Sequence, residues 1–255
     1  MPRSLVSRSL EPLVAVLWGV FLLWTAWLAV VWIVPVGSGE LGFVAGSPPP
    51  PNPELRRAIL LLAENADTVW LALAVMNLHR VLTHGYGLRV TRAWLLLSVG
   101  GGFALGVLNV KTGVLFGKMQ FGAGLGKQLF GVALGWVLLW PALVLGAREA
   151  VLRLRPRASH AFAAASTALL VLLTEANLEW PARALRGWWA HPPDAPGVPW
   201  MNPVVWFGAA WLMAFAMREK DVAAAAAARS AKPVILLAAL NVIAIAARLR
   251  QTWFS

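Results

Sequence analysis

The chain has no cysteine, one tyrosine and four histidines in 255 residues. Without thiols, disulfides, thiolate catalysis and thiolate metal sites are excluded. The histidines (His79, His84, His160 and His191) are scattered at helix ends or in loops, with no pair at ligand spacing on one helix. No metal site is therefore expected. No glycine-rich loop is followed by Lys-Ser/Thr, and Gly122, Gly124 and Gly126 follow no strand, so phosphate-cradle and dinucleotide readings both fail. Charge is scarce as well: Asp, Glu, Lys and Arg together make up 13% of the residues, roughly half the share of a soluble domain.

What fills the chain instead is apolar. It is 59% hydrophobic, with a mean hydropathy of +0.68. A net charge of +11 would suit nucleic acid, but the Lys and Arg sit in short runs between apolar segments, as the positive-inside rule produces. Fifteen tryptophans fit rings collecting at headgroup level. The composition defines an all-α, polytopic integral membrane bundle, one domain over residues 1–255, with membrane lipids and not nucleic acid as its surroundings. Each span must be a helix, because lipid offers no partner to unpaired backbone groups.

Seven apolar runs are the expected spans: about Leu13–Val34, Arg57–Leu82, Ala93–Val110, Leu125–Ala147, Ala158–Trp180, Pro203–Met217 and Pro233–Ala247. The last two are short, so the count is six or seven. A Gly/Pro/Ser-rich linker ending in Pro48–Pro51 separates the first two. The third run carries Gly100, Gly101, Gly102 and Gly106, small residues that permit close helix approach. Pro141 is an expected kink in the fourth.

The functional signal is concentrated in Thr174–Phe207. Glu175 and Glu179 are four residues apart and so share a helix face. Carboxylates at membrane depth are expensive and define a functional-site hypothesis by default. With seven spans, the second enters from the side on which the fifth exits. Glu64 and Asp67, three residues apart in the second, then lie at a depth similar to Glu175 and Glu179. The loops 111–127 and 181–202 share that face, and the four acids are expected to converge there.

Two blocks resemble a known family. Thr112-Gly113-x-x-Phe116-Gly117, continued by Leu125-Gly126 and Phe130-Gly131-Val132, is similar to a signature of carotenoid-biosynthesis membrane hydratases, the bisanhydrobacterioruberin-hydratase and γ-carotene-hydratase type. Glu175-x-x-x-Glu179 before Pro181, Trp188-Trp189, and Gly197-Val198-Pro199-Trp200-x-Asn202 with Trp206 resemble that family's second block. The resemblance spans about 96–218. The chain differs where Met119 and Phe121 replace tyrosines, and where Gly106 or Val107 stands in place of a glutamate. Those changes imply an altered substrate or the absence of hydration.

The resemblance implies hydration of the terminal isoprenoid double bond of an acyclic carotenoid, with no cofactor. A buried carboxylic acid would protonate the alkene; Glu175 is the first choice, with Glu179, Asp67 or Glu64 recycling the proton or orienting water. Aromatic faces at Phe116, Trp188 and Trp189 would stabilise the tertiary cation, Asn202 would hold the water, and Gly117 and Trp206 complete the expected substrate site. Two other classes stay open: another polyprenoid enzyme such as a cyclase, which starts with the same protonation, and a membrane transporter or assembly factor. A transporter would carry inverted repeats, and none is visible.

With seven spans, Lys and Arg divide 13 to 9 in favour of the N-terminal side, so a cytoplasmic N-terminus in a bacterial-type inner membrane is expected. Reporter fusions should place residue 1 inside and Ser255 outside; a cytoplasmic Ser255 removes either the seventh span or the orientation.

Overall fold

A computed structural model describes residues 11–33, 52–192, 200–218 and 230–254. Among the described residues there are eight α-helices: α1 (Glu11–Ile33), α2 (Pro53–Glu64), α3 (Ala66–Tyr86), α4 (Leu88–Thr112), α5 (Leu134–Leu154), α6 (His160–Ala184), α7 (Met201–Ala216) and α8 (Lys232–Phe254). Four two-residue strands lie in the loops: β1 (Gln120–Phe121), β2 (Gln128–Leu129), β3 (Val132–Ala133) and β4 (Trp189–Ala190). Each of the seven expected apolar runs therefore has its helix or helix pair. By length and composition four helical segments can cross a membrane, at 14–33, 88–112, 160–184 and 232–250, and the bent pair α2–α3 makes a fifth. At 16 residues α7 is shorter.

The bundle is organised around α5. From Gly135 to Leu152 only Val137 and Leu138 escape full burial, and α3, α4, α6, α7 and α8 all pack on it. Glycine makes the approach of α4 possible. A Cβ on Gly102 would lie 2.3 Å from Cδ1 of Trp140, and one on Gly106 would lie 2.7 Å from the Val132 side chain and 3.1 Å from the Trp136 indole. Trp136 repays the closeness by donating its indole N–H to the carbonyl of Gly102 at 3.0 Å. Gly100, by contrast, has nothing within 4 Å.

Two boundaries differ from expectation. The second run is not one helix but two, bent by 56° at Asn65. Asn65 turns both its backbone N–H and its side-chain amide onto the carbonyl of Leu61, at 3.2 and 2.8 Å. These bonds close α2 before α3 begins. The fourth run starts at Leu134, not near Leu125, because 123–133 form a short 3-10 turn and the β2–β3 hairpin. The hairpin's two-residue turn places Phe130 and Gly131 at φ of +52° and +78°, the pair of positive values that a tight hairpin requires. The Pro48–Pro51 linker and the alanine-rich stretch 221–229 lie outside the described residues.

Gly102 and Gly100 separate packing from composition. Gly102→Val should force Trp140 to shift at a cost of about 1–3 kcal/mol, lowering the melting temperature of the detergent-solubilised protein. Gly100→Val should leave it nearly unchanged.

Candidate active site

The first wall is built by the loop that follows α4. Gly113 ends the helix in the left-handed conformation, at φ +65°, which only glycine adopts without strain. The chain then folds back onto Asn109, which is buried on α4. Its side-chain carbonyl accepts the N–H of Phe116 at 2.7 Å, and its amide donates to the carbonyl of Gly117 at 3.1 Å. This clamp drives the Phe116 ring inward, to 2% exposure. The next residues pair with the loop after α6, Gln120 opposite Ala190 and Phe121 opposite Trp189. Gly122 and Gly124 allow that contact, since a Cβ on either would lie 2.0 or 2.1 Å from the carbonyl oxygens of Gly187 and Arg186.

The second wall is the end of α6. Pro181 lies within this helix, so the carbonyl of Asn177 loses its usual partner. Arg248 of α8 supplies the missing donor, with Nε 3.1 Å from the Asn177 oxygen, and also bonds the carbonyl of Ala176. Asn241 strengthens the seam, donating to Thr174 Oγ1 at 3.1 Å and accepting from Asn177 at 2.9 Å. Between these ties lie Glu175 and Glu179. Glu175 is buried and accepts the Asn202 amide at 3.1 Å, and the Glu179 carboxyl lies beside it, one helical turn on. Glu179 also faces the Trp189 indole N–H at 3.5 Å and Arg183 at 3.8 Å.

A small cavity of about 10 Å³, room for about one water molecule, lies against Glu179, His191 and Asn202, with Phe116, Met119, Trp136, Trp189 and Trp206 completing it. Trp136 is the hub of the aromatic wall. Its ring lies 5.2 Å from Phe116, 5.3 Å from Phe121 and Trp206, and 5.9 Å from Trp189. Trp206 stacks in turn on Trp140 at 4.5 Å. Trp188 is buried one step away, edge-on to both Trp189 and Trp32. Three of the residues at which the chain differs from the signature it resembles fall at this wall: Met119 lines the cavity, Phe121 packs on Trp136, and Gly106 lies beneath Trp136.

The acids of the second run go elsewhere. Glu64 ends α2 and is exposed, whereas Asp67 opens α3 and is buried. The break at Asn65 separates the face they were expected to share. Asp67 accepts the Trp32 indole N–H at 2.7 Å and forms an ion pair with Arg186 at 2.8 Å. The same arginine bonds the carbonyl of Ala63 across the break. Asp67 is not among the residues lining the cavity. Sequence reasoning missed Trp136, Asn109 and the cavity role of His191. Trp136 precedes Pro141 in an ordinary apolar run and His191 is a lone loop histidine, so neither carried a periodic or motif signal. Gly197, Val198 and Pro199 lie outside the described residues.

These features define a helical membrane protein with a carboxyl pair, Glu175 buried and Glu179 opening on a small aromatic chamber. A family model described as carotenoid biosynthesis protein matches residues 66–254, and the chain belongs to that family. No curated protein and no solved structure matches it.

The Asp67–Arg186 pair joins α1, α3 and the loop after α6, and breaking it from one side should be severe. Arg186→Ala leaves a buried carboxylate unanswered, a loss of about 3–5 kcal/mol readable as poor accumulation and a lower melting temperature. The doubly neutral Asp67→Asn/Arg186→Gln variant should recover most of it.

Proposed function

We propose that the protein hydrates the terminal isoprenoid double bond of an acyclic carotenoid, with Glu175 and Glu179 supplying the proton. The carrying observation is the adjacent Glu175 and Glu179 carboxyls beside a chamber whose remaining walls are mostly aromatic. Membership in a carotenoid biosynthesis family supports a lipophilic carotenoid as substrate.

An unactivated alkene needs a strong, well-placed acid and somewhere for the resulting charge to rest. Glu179 lines the chamber, and Glu175 is its partner, held by Asn202. Proton transfer to the less substituted alkene carbon leaves a tertiary cation. The faces of Trp136, Trp189 and Trp206 are the groups available to stabilise it, by about 2 kcal/mol or more in a desolvated site. Water then adds at the cationic carbon, and loss of one proton gives a tertiary alcohol. Asn202 would orient that water, and Phe116, held by the Gly113–Gly117 loop, would pack against the end group. Trp188 supports Trp189 from behind. We assign Asp67 and Glu64 no step in this mechanism. The orientation proposed with it is a cytoplasmic N-terminus in a bacterial-type inner membrane.

A cyclase would begin with the same protonation but retain no oxygen, so the product decides between them. Membranes from a lycopene-producing host expressing the protein should contain hydroxylated carotenoid. Glu179→Gln and Glu175→Gln should each reduce it by about 10²–10⁴-fold at unchanged protein level, because glutamine keeps size and polarity but has no acid proton. Cyclised product would replace hydration with cyclisation. Full hydration by both variants would remove the carboxyl pair from the chemistry.

A further inference from the structure

The hydration reading leaves one step without a residue: a water that captures the cation must lose a proton. We infer that His191 holds this water and takes that proton, an assignment that rests on the hydration reading. His191 lines the chamber with Glu179 and Asn202. Its Nδ1 is closed off from solvent and has no hydrogen-bond partner among the described residues. A buried imidazole nitrogen left unpaired costs free energy, and beside a polar chamber it is suited to a small ligand that can donate to it. Water at that point would meet three polar side chains, within the two to four that a buried water usually finds.

The position of the ring is not left to a flexible loop. His191 directly follows β4, whose Trp189 and Ala190 pair with Phe121 and Gln120. Trp188 is anchored through its backbone N–H to the carbonyl of Ala182 at 2.9 Å, and its own carbonyl accepts from the Gly122 N–H at 3.0 Å. The backbone on the N-terminal side of His191 is therefore fixed relative to both walls. The other polar groups serve the step less well. Asn202 carries an amide, which does not accept a proton at neutral pH. Glu179 already faces Glu175, the Trp189 indole and Arg183.

With the ring proton on Nε2, Nδ1 is an acceptor. The alkene's π pair forms a C–H bond with the carboxyl proton, leaving a carboxylate and the tertiary cation. A lone pair of the water forms the C–O bond, and one of its O–H bonds breaks, sending the proton to Nδ1. The imidazolium returns that proton to the carboxyl pair, so the net change is addition of one water to one double bond.

Protonation and capture can be measured separately in D₂O. Membranes carrying wild-type protein and lycopene should yield deuterated tertiary alcohol. They should also return some substrate with deuterium at the terminal isopropylidene group, from cations that lose a proton before capture. His191→Gln should lower alcohol by at least about 10²-fold while deuterium continues to enter the recovered alkene, and that exchange reports a folded, competent acid site. Wild-type alcohol formation by His191→Gln would overturn the inference and leave the hydration reading standing. Loss of both alcohol and exchange would overturn it too, placing His191 in protonation or in folding. Wild-type protein that forms neither alcohol nor exchanged alkene would overturn the hydration reading itself.

Discussion

A carboxyl group inside an apolar bundle must be answered by another part of the chain, because the surroundings offer nothing. Three buried acids are answered in two ways. Asp67 meets Arg186, and Glu149 meets Arg148 at 3.2 Å and the Tyr86 hydroxyl at 2.8 Å. Arg148 is itself clasped, lying 4.3 Å above the Trp94 ring and donating to the carbonyl of Met217. These are charge pairs, and each ties several helices together. Glu175 is different. Its partners are a neutral amide and a second carboxyl, and no Lys or Arg forms an ion pair with it among the described residues. An acid partnered by an amide and a second carboxyl, with no ion-paired cation of its own, is the one suited to exchange protons, and that contrast separates the site from the scaffold.

The scaffold and the site nevertheless share parts. Trp136 fixes α5 to α4 through its bond to Gly102 and at the same time forms the hub of the chamber wall. Pro181 breaks the α6 hydrogen-bond ladder two residues beyond Glu179, and the carbonyl it frees is where α8 docks through Arg248. A defect in one helix thus becomes the attachment point for another, next to the carboxyl pair. Close-packed interiors transmit small displacements, so the aromatic wall and the acids keep a fixed relation although they come from three helices and two loops.

Much of this was legible in the residues. Apolar run lengths gave the helices, the i and i+4 spacing gave the Glu175–Glu179 face, and the Thr112–Gly117 block marked a loop whose glycines carry positive φ. Where the reading failed, a tertiary contact had overridden a local pattern. Nothing in ENAD, residues 64–67, announced that Asn65 would cap one helix and let the next swing by 56°. A reading by periodicity kept Glu64 and Asp67 on one continuous face. Arg148, one residue beyond the expected fourth run, lies in α5 with its charge buried against Glu149 and Trp94, and the helix runs on to Leu154. Trp136 was invisible for a simpler reason: one tryptophan among fifteen carries no positional information until its neighbours are known.

The residues at which this chain differs from the signature it resembles bear on what the chamber can do. Met119 and Phe121 leave its aromatic and thioether surfaces without a phenolic hydroxyl, and the close contacts of Gly106 with Val132 and Trp136 leave no room there for a longer side chain. A cation formed against such a wall meets few groups able to take a proton from it. Its fate then depends on the three polar side chains, Glu179, His191 and Asn202. A wall stripped of hydroxyls therefore does not argue against water capture. In the proposed reaction it would leave the choice between alcohol and returned alkene to the geometry of those three groups.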